Sequence, residues 1–333
     1  MKIAVLFGGD SMERDVSVAS AAQVVAALRS RGHTVVAVDA HRGLLSSADE
    51  RLVLSKGIDR APPAGETARG LPALVDASDL RDVELVFLAL HGGSGEDGTI
   101  QSVLDLARVP YTGSGRLGSA IAWDKDIAKR LFVAAGVPTP EWLMAPAAPE
   151  RIVEAIGLPA IVKPNGQGST VGLTLVDASE DLEAAIELAG KYDSEVMIER
   201  YIPGRELTVG ILEDTPLAVG EIVPATGEIF DYVAKYQAGG ADEIFPAPIG
   251  PDLTARAQAL ALKAHRALKL EEYSRVDFRL DAGGGLWCLE VNTLPGLSSS
   301  SLLPRAAEAV GIDFGELCER ICIAALAKAR RTR

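Results

Sequence analysis

Cysteine is scarce in this chain of 333 residues, which contains only Cys288, Cys318 and Cys322. Three cysteines cannot build a framework of disulfide bridges, so we expect the protein in a reducing compartment, the cytoplasm. Cys318 and Cys322 lie four residues apart in a helical pattern and could face one metal ion. Since no histidine or further cysteine stands near them in the sequence, we interpret both as small buried apolar side chains.

The chain also lacks an excess of positive charge and any long apolar run. It carries 33 Lys and Arg against 46 Asp and Glu, which gives a net charge of −13. Nucleic-acid phosphates are bound by clustered Lys and Arg, so this balance argues against nucleic acid as the main partner. No apolar stretch approaches the length of a membrane span, and the first apolar run is far shorter than the core of a signal peptide. We therefore expect neither a membrane association nor a leader.

The remaining composition is that of a globular protein, with 48% hydrophobic and 24% charged residues. The length is sufficient for two or three domains. Near the N-terminus the pattern predicts strands at residues 3–7, 33–38 and 83–90 and a helix at 17–28. This order of strand, turn, helix and strand predicts a parallel sheet with flanking helices.

A hairpin with chemistry on one face is predicted near the C-terminal end. Pairing its strands across a loop at 282–285 sets Asp277 opposite Glu290 and Arg275 opposite Asn292. Side chains alternate between the faces of a strand, so these four polar groups share one face. The apolar side chains take the other face: Val276, Phe278, Leu280, Trp287, Leu289 and Val291.

Two carboxylates and an amide on one face form an all-oxygen ligand set that suits Mg²⁺, which recruits few carboxylates plus substrate phosphates. The alternative is an ordinary antiparallel hairpin with one solvated face. That alternative explains the alternation but not why the polar face ends in the loop Asn-Thr-Leu-Pro-Gly, so we favour a metal site.

Two glycine-rich loops follow predicted strands of the N-terminal sheet. In residues 7–14 the glycines let backbone amides approach a ligand, but the spacing is not GxGxxG, so a nicotinamide cofactor is poorly supported. Glu13 in this segment is either a first-turn acid or an anchor for a substrate ammonium group; on its own, the first is favoured. Residues 90–99 lie beyond the carboxyl end of a strand, where ligands bind in open α/β sheets. His91 there could be structural or functional.

Three further segments have the features of a nucleotide site. Residues 161–172 form a strand, a Gly/Ser loop and a strand, a context that differs from a Walker loop and suits a hairpin over phosphates, with Lys163 as the cation. Residues 196–206 could bind an adenine edge and a ribose. Residues 231–236 could supply a phosphate contact and a mobile lid, with an exposed loop as the alternative.

Taken together and in this order, the stretches LALHGGSGEDGTIQ, IVKPNGQGSTVG, DYVAKY and RVDFRL…CLEVNTLPGLSSSSL resemble the ATP-grasp superfamily and, within it, the D-alanine–D-alanine ligases. The resemblance covers nearly the whole chain. It implies an α/β fold (α+β in the ATP-grasp part), with a Rossmann-like parallel-sheet substrate domain at residues 1–112. A central ATP-grasp lobe at 113–203 and a C-terminal catalytic lobe at 204–333 would follow.

The resemblance also implies roles at the nucleotide. Lys125 and Lys163 would contact the phosphates, and Lys235 would also reach the nucleotide. The adenine pocket would be lined, in two cases through backbone groups, by Glu199, Arg200 and Ile202. Glu206 would hold the ribose. Three residues would bind two Mg²⁺ ions, for which Mn²⁺ could substitute: Asp277, Glu290 and Asn292.

For the first substrate, the resemblance implies that Glu13 holds the ammonium group, in a hydrogen-bonded set with Ser169 and Tyr236 that closes the site. His91 would lie beside this substrate. The resemblance also implies roles for residues on the predicted hairpin and in the loop that follows it. Arg275 and the amide of Gly296 would stabilise the oxyanion. The carboxylate of the second substrate would be received by Ser301 and Leu302.

The implied activity is ATP-dependent ligation of two D-alanines through an acyl phosphate, with release of ADP and phosphate, for peptidoglycan precursor synthesis by a cytoplasmic homodimer. Relatives that make D-alanyl-D-lactate often carry His where this chain has Tyr236, so tyrosine favours the dipeptide. Two alternatives stay open. One is a D-alanine–D-serine ligase or another ATP-grasp carboxylate–amine ligase. The other is an inactive nucleotide-binding regulator, which the intact metal-ligand set argues against.

Overall fold

The computed structural model describes residues 1–55, 82–225 and 240–331. In this part of the chain, the N-terminal sheet has four strands: β1 (Lys2–Phe7), β2 (Thr34–Asp39), β3 (Gly43–Leu44) and β4 (Leu85–Leu88). Their spatial order is β3-β2-β1-β4, and β1 pairs in parallel with both β2 and β4. From Ile3 onward β1 is fully buried, as is β4, which is typical of parallel strands covered on both faces.

Three helices accompany this sheet: α1 (Arg14–Ser30), α2 (Ser47–Leu54) and α3 (Thr99–Ala107). The apolar face of α1, which includes Val18, Val24 and Leu28, packs into the core of the sheet. The predicted parallel strands with flanking helices are therefore confirmed, although the sheet is mixed, because β3 pairs antiparallel with β2. Helix α1 starts at Arg14, three residues before the predicted start at residue 17, directly after the glycine loop.

The middle of the chain forms a second, antiparallel sheet. The preceding helices α4 (Arg116–Trp123) and α5 (Lys125–Ala135) pack on the core of the third sheet, whereas α6 (Pro149–Ala155) and α7 (Leu182–Ala189) pack on this second one. Its four strands are β5 (Trp142–Met144), β6 (Ala160–Pro164), β7 (Thr174–Val176) and β8 (Val196–Arg200), in the order β5-β8-β6-β7. Helices α4 and α5 are separated at Asp124, whose carboxylate accepts a hydrogen bond from the Ile127 amide (3.0 Å) and caps α5.

The third sheet is also antiparallel, and in the described part of the chain it has five strands: β9 (Arg205–Leu212), β10 (Thr215–Pro224), β11 (Ala241–Ile244), β12 (Tyr273–Leu280) and β13 (Leu286–Asn292). Their order is β11-β10-β9-β12-β13. The last helices pack on this sheet or on the N-terminal one: α8 (Pro251–Ala267), α9 (Leu302–Glu308) and α10 (Phe314–Arg331).

The predicted hairpin is formed by β12 and β13, and its polar pairs are confirmed. Asp277 lies opposite Glu290 and Arg275 lies opposite Asn292. The pairing then shifts by one residue, because a bulge separates Asp277 from the next pair. As a result, the predicted face is wrong for Leu289, which is the extra residue of the bulge, and for Trp287 beyond it. The buried face of β13 consists of Leu286, Cys288 and Val291, not of Trp287 and Leu289.

The three cysteines are free thiols with buried side chains, which confirms the interpretation of Cys318 and Cys322 as small buried apolar residues. Burial raises the pKa of the Cys318 thiol to about 12, so it remains protonated and unreactive at neutral pH. None of the helices in residues 1–55, 82–225 and 240–331 combines the length and the apolar character that crossing a bilayer requires.

A buried histidine on α8 predicts a loss of stability in acid. His265 is 1% exposed and its Nδ1 lies 2.8 Å from Ser274 Oγ. Burial lowers the pKa of this imidazole from 6.5 to about 4. The unfolded chain therefore takes up the proton first, so stability from neutral His265 is present above pH 6.5 and is lost as the pH falls toward 4. Between about pH 7.5 and about pH 5 we expect a loss of about 2 kcal/mol in the free energy of unfolding.

The variant His265→Gln keeps a side chain that can hydrogen-bond Ser274 but cannot titrate. Its free energy of unfolding, measured by urea denaturation, should change by about 2 kcal/mol less than that of the parent over this pH range. The same replacement at the more exposed His41 is the matched control. Equal pH dependence in the parent and His265→Gln would contradict the assignment.

Candidate active site

Residues from all three sheet regions line two adjoining cavities of about 160 and about 120 Å³. The larger cavity is bordered by ten of the residues that the sequence singles out: Glu13, His91, Lys125, Ser169, Arg275, Glu290, Asn292, Gly296, Ser301 and Leu302. The smaller cavity shares five of these and adds three more: Lys163, Glu206 and Asp277. Segments that are remote in sequence therefore meet at one place.

Glu13 lies where three loops converge. It precedes α1 and is 9% exposed, and its carboxylate accepts a short hydrogen bond from the Ser169 hydroxyl. A Cβ atom on Gly92 would lie 2.7 Å from Glu13 Oε2, and one on Gly168 would lie 2.8 Å from it. Both positions therefore require glycine, because the carboxylate occupies the space that a side chain would need. The predicted association of Glu13 with Ser169 is present in the folded chain.

The glycine loop that follows β1 is in contact with a side chain of the same domain. The sequence predicts that Gly8 and Gly9 let backbone amides approach a ligand, but the guanidinium of Arg14 fills the space beside Gly8. Arg14 donates to the Asp39 carboxylate (2.7 Å) and to the Gly9 carbonyl (3.2 Å). This loop therefore fixes the start of α1 and, with it, the position of Glu13.

The polar face of the β12–β13 hairpin forms one wall of both cavities. Asp277 accepts hydrogen bonds from Arg275 Nη2 (2.8 Å), Asn292 Nδ2 (2.9 Å) and Thr208 Oγ1 (2.7 Å). Glu290 Oε2 lies 3.5 Å from Lys125 Nζ on the facing helix α5. Each carboxylate thus has a cation beside it, and the bulge beyond Asp277 turns Leu289 toward the smaller cavity.

A buried charge cluster lies behind the cavities. The Glu199 carboxylate lies between two lysines, with Lys163 Nζ 3.0 Å from one oxygen and Lys129 Nζ in hydrogen-bond contact with the other. Lys129 is fully buried, donates to Thr139 Oγ1 (2.7 Å) and lies over the Trp142 ring at 5.0 Å. Burial raises the pKa of Glu199, but the two lysines outweigh burial and hold it below its usual value.

The sequence did not identify Lys129. The sequence spacing could have indicated it, because Lys125 and Lys129 are four residues apart on α5 and therefore share a helix face. Burial lowers the pKa of both ammonium groups. The side chain of Glu199 orients Lys163, and the expected place of Glu199 beside the adenine stays a prediction.

Comparison with known proteins identifies the family to which these residues belong. The family model described as D-ala D-ala ligase N-terminus matches residues 2–114 of this chain. The family model described as D-ala D-ala ligase C-terminus matches residues 131–323. The D-alanine–D-alanine ligase of Geobacter sulfurreducens is 42% identical over 327 residues, which cover 97% of this chain and 94% of the relative. The chain belongs to the D-alanine–D-alanine ligase family.

Solved structures of related ligases share the whole fold. The D-alanine–D-alanine ligase from Bacillus anthracis complexed with ATP superposes with a TM-score of 0.81 at 29% identity, and each chain is covered completely. The VanG D-Ala:D-Ser ligase from Enterococcus faecalis superposes with a TM-score of 0.76 at 28% identity, over 97% of this chain and 99% of that one. The predicted ATP-grasp fold, with an N-terminal parallel sheet, is thereby confirmed.

In this ligase-family chain, the segment expected at the adenine is held by an arginine that sequence reasoning missed. Arg279 donates to the carbonyls of Ile202 (3.0 Å) and Gly204 (2.9 Å), and its Nη1 lies 3.5 Å from Glu206 Oε2. The alternation of β12 places Arg279 on the same face as Asp277, which was the available signal. The side chain of Arg200 lies at the surface beside Glu141, so only its backbone could reach a nucleotide.

At the other end of the larger cavity, Ser301 precedes α9 and Leu302 begins it. Ser301 Oγ accepts a hydrogen bond from the Ser298 amide (3.1 Å), and a Cβ atom on Gly296 would lie 2.9 Å from it. Gly296 and Ser301 are therefore neighbours in space. Lys235 and Tyr236 lie outside the described residues, and their roles stay predictions.

The hairpin residues fit a magnesium site. Within the described residues, no group of three or more His, Cys, Asp or Glu side chains could hold a metal ion. Asp277, Glu290 and Asn292 supply two carboxylates and an amide, a sparse oxygen set. Such a set suits Mg²⁺, which takes its remaining ligands from water and substrate phosphates.

Proposed function

We propose that this protein joins two D-alanines to D-alanyl-D-alanine, with conversion of ATP to ADP and phosphate, as a step of peptidoglycan precursor synthesis. The observation that carries the proposal is the convergence of Glu13, Arg275 and Gly296 on one cavity that adjoins Lys125 and Lys163. A site with an anchor for an ammonium group, an oxyanion site and phosphate-binding lysines suits activation of an amino acid by ATP.

In the first step, the Glu13 carboxylate binds the ammonium group of the first D-alanine, whose carboxylate then attacks the γ-phosphate of ATP. The products are an acyl phosphate and ADP. Lys125 and Lys163 offset the charge of the phosphates, so the residues act chiefly by positioning and electrostatics. Asp277, Glu290 and Asn292 would hold two Mg²⁺ ions, or Mn²⁺, which supply further charge neutralisation at the phosphates.

In the second step, the neutral amine of the second D-alanine attacks the acyl carbon. Arg275 and the Gly296 amide stabilise the oxyanion of the tetrahedral intermediate, and Ser301 with Leu302 receives the carboxylate of the incoming amino acid. The intermediate expels phosphate, the former amine nitrogen releases a proton to this leaving group or to solvent, and the dipeptide remains. Water must be excluded throughout, because it would hydrolyse the acyl phosphate. Tyr236 in the lid segment is proposed to complete this closure with Ser169.

The proposal also covers the domains, the oligomeric state and the remaining nucleotide contacts. We propose three domains, at residues 1–112, 113–203 and 204–333. These boundaries are supported by the location of one sheet in each segment. The homodimer rests on the resemblance to the family alone. The nucleotide contacts of Ile202, Glu206 and Lys235 rest on that resemblance and, for the first two, on their position around Arg279.

The test is phosphate release from ATP and Mg²⁺ with D-alanine, with products identified by mass. We expect release to require the divalent ion and to yield D-alanyl-D-alanine as the main product even when D-serine or D-lactate is added. Product formation mainly with D-serine would move the chain to the D-alanine–D-serine ligases. Nucleotide binding without turnover would support the regulator instead.

A further inference from the structure

The loop that follows β13, residues 293–297, is held by the N-terminal domain. The Leu294 amide donates to Glu96 Oε1 (3.0 Å), and the Leu294 carbonyl lies 2.8 Å from His91 Nδ1. The Leu297 amide donates to Ser20 Oγ (3.4 Å). Both backbone polar groups of Leu294 are therefore bonded to residues about 200 positions earlier in the chain.

Glu96 is suited to this contact because its carboxylate accepts from two directions. Oε2 accepts from the Gly92 amide (2.8 Å), while Oε1 accepts from the Leu294 amide and from Thr293 Oγ1 (3.3 Å). The backbone just before Glu96 is itself fixed, since Gln101 Nε2 donates to the Gly95 carbonyl (2.7 Å). Burial raises the pKa of Glu96 to about 7, while the two backbone amides that bond it favour the ionised form. An ionised carboxylate has only acceptor oxygens, so an amide in its place would direct N–H groups at one of these donors.

Both ring nitrogens of His91 form hydrogen bonds at this contact between the loop and the N-terminal domain. A carbonyl oxygen can only accept, so Nδ1 must carry the proton that bonds Leu294. Nε2 then accepts from the Ser20 hydroxyl, 2.9 Å away. Burial lowers the pKa of His91, which agrees with a neutral ring in this one tautomer.

We propose that Glu96 and His91 are positioning residues that hold the backbone N–H and the backbone carbonyl of Leu294 and thereby place the Gly296 amide for the second step. The catalytic part of this inference, the placement of an oxyanion donor, rests on the proposed function. Gly296 is two residues beyond Leu294 and neighbours Ser301. A shift of the loop therefore moves an oxyanion donor and the acceptor subsite together, whereas the lysines on α5 and β6 stay in place.

The test is Glu96→Gln in the full chain, with Asp97→Asn as the matched control. Asp97 is the next residue in the same loop, but its carboxylate accepts from Thr99 within its own turn (2.8 Å). For Glu96→Gln we expect kcat to fall about ten- to a hundredfold, less than the loss of an oxyanion donor itself, with the KM for ATP changed less than about twofold. Asp97→Asn should stay within about threefold of the parent in kcat.

Two further readouts separate positioning from general destabilisation. First, the variant should release more phosphate than dipeptide, because acyl phosphate that is not captured is hydrolysed. Second, hydrogen–deuterium exchange of the peptide covering residues 293–297 should rise in Glu96→Gln without substrates and not in Asp97→Asn. The exchange measurement tests whether Glu96 holds the loop at residues 293–297 even if the parent makes no dipeptide. The absence of dipeptide in the parent would refute the proposed function but not this structural role of Glu96.

One dipeptide per phosphate in Glu96→Gln, with unchanged exchange at residues 293–297, would overturn the proposal. If Glu96→Gln does not fold, Ser20→Ala decides, since it removes the hydroxyl that bonds both His91 and the Leu297 amide. It should show the same excess of phosphate over dipeptide and the same rise in exchange, each smaller. Parent values for both measurements in Ser20→Ala would equally overturn the proposal.

Discussion

Replacing Arg275 with methionine is expected to lower kcat for dipeptide formation about a hundred- to a thousandfold, the usual effect of removing one oxyanion donor. Arg275 is 14% exposed at its side chain and lies between the Asp277 carboxylate (2.8 Å) and the larger cavity. Methionine fills similar space without charge or hydrogen-bond donors. The measurement is steady-state dipeptide formation at saturating ATP and D-alanine, with thermal unfolding to verify that the variant is folded.

The matched control is Arg279→Met, the same replacement two residues along the same strand. Arg279 holds the carbonyls of Ile202 and Gly204 and lies near Glu206, so its loss should raise the KM for ATP severalfold and change kcat far less. Arg275→Lys should recover part of the activity by restoring a charge without the planar fork. A kcat within tenfold of the parent in Arg275→Met, or identical kinetic changes in both variants, would contradict the oxyanion role.

The sequence predicted local arrangements well where one simple periodicity decides them. The pairs Asp277–Glu290 and Arg275–Asn292 follow from strand alternation and a short turn, and both are present. The bulge after Asp277 was not predicted, because one extra residue in a strand alters no composition or turn signal. Its effect is specific: Leu289 is turned from the predicted core face toward the smaller cavity.

The sequence could locate the site but not its internal partners. The loops after β1 and β4 leave the carboxyl ends of neighbouring parallel strands, so their convergence was predictable. The loops of the other two sheets reach the same cavities through packing between sheets, which no periodicity encodes. Which carboxylate meets which cation depends on how distant elements pack. Lys129 meets Glu199 and Glu96 meets the Leu294 amide across separations of 70 and 198 residues, and no local pattern encodes either pair.

The break between α4 and α5 shows a different limit. Residues 119–135 have one continuous helical pattern of apolar and polar residues, which predicts a single helix. Asp124 instead ends the first helix in an extended conformation and caps the second. The cap was recognisable in principle, since Asp is a favoured N-cap residue, but periodicity outweighed it. The consequence is functional, because the new helix begins with Lys125 at the cavity.

Replacing Glu199 with glutamine is expected to reduce the free energy of unfolding by about 3–5 kcal/mol, the usual effect of breaking a buried ion pair by removal of one partner. Lys129 and Lys163 have side chains that are 0% and 10% exposed, and both bond this carboxylate. Glutamine has the same shape but leaves two buried ammonium groups without a counter-charge. Urea denaturation at neutral pH measures the change.

Activity should change with stability in this variant, because Glu199 orients Lys163 at the smaller cavity. We expect the KM for ATP to rise about tenfold, which corresponds to about 1.4 kcal/mol of lost binding. The matched control is Glu141→Gln, which removes a carboxylate of the same lobe that is 62% exposed and paired with Arg200. Exposed pairs contribute about 0–1 kcal/mol, so this control should be nearly neutral in both measurements. If Glu199→Gln were equally neutral, the two lysines would have to lose their protons or reach solvent, and the cluster could not be what holds Lys163 in place.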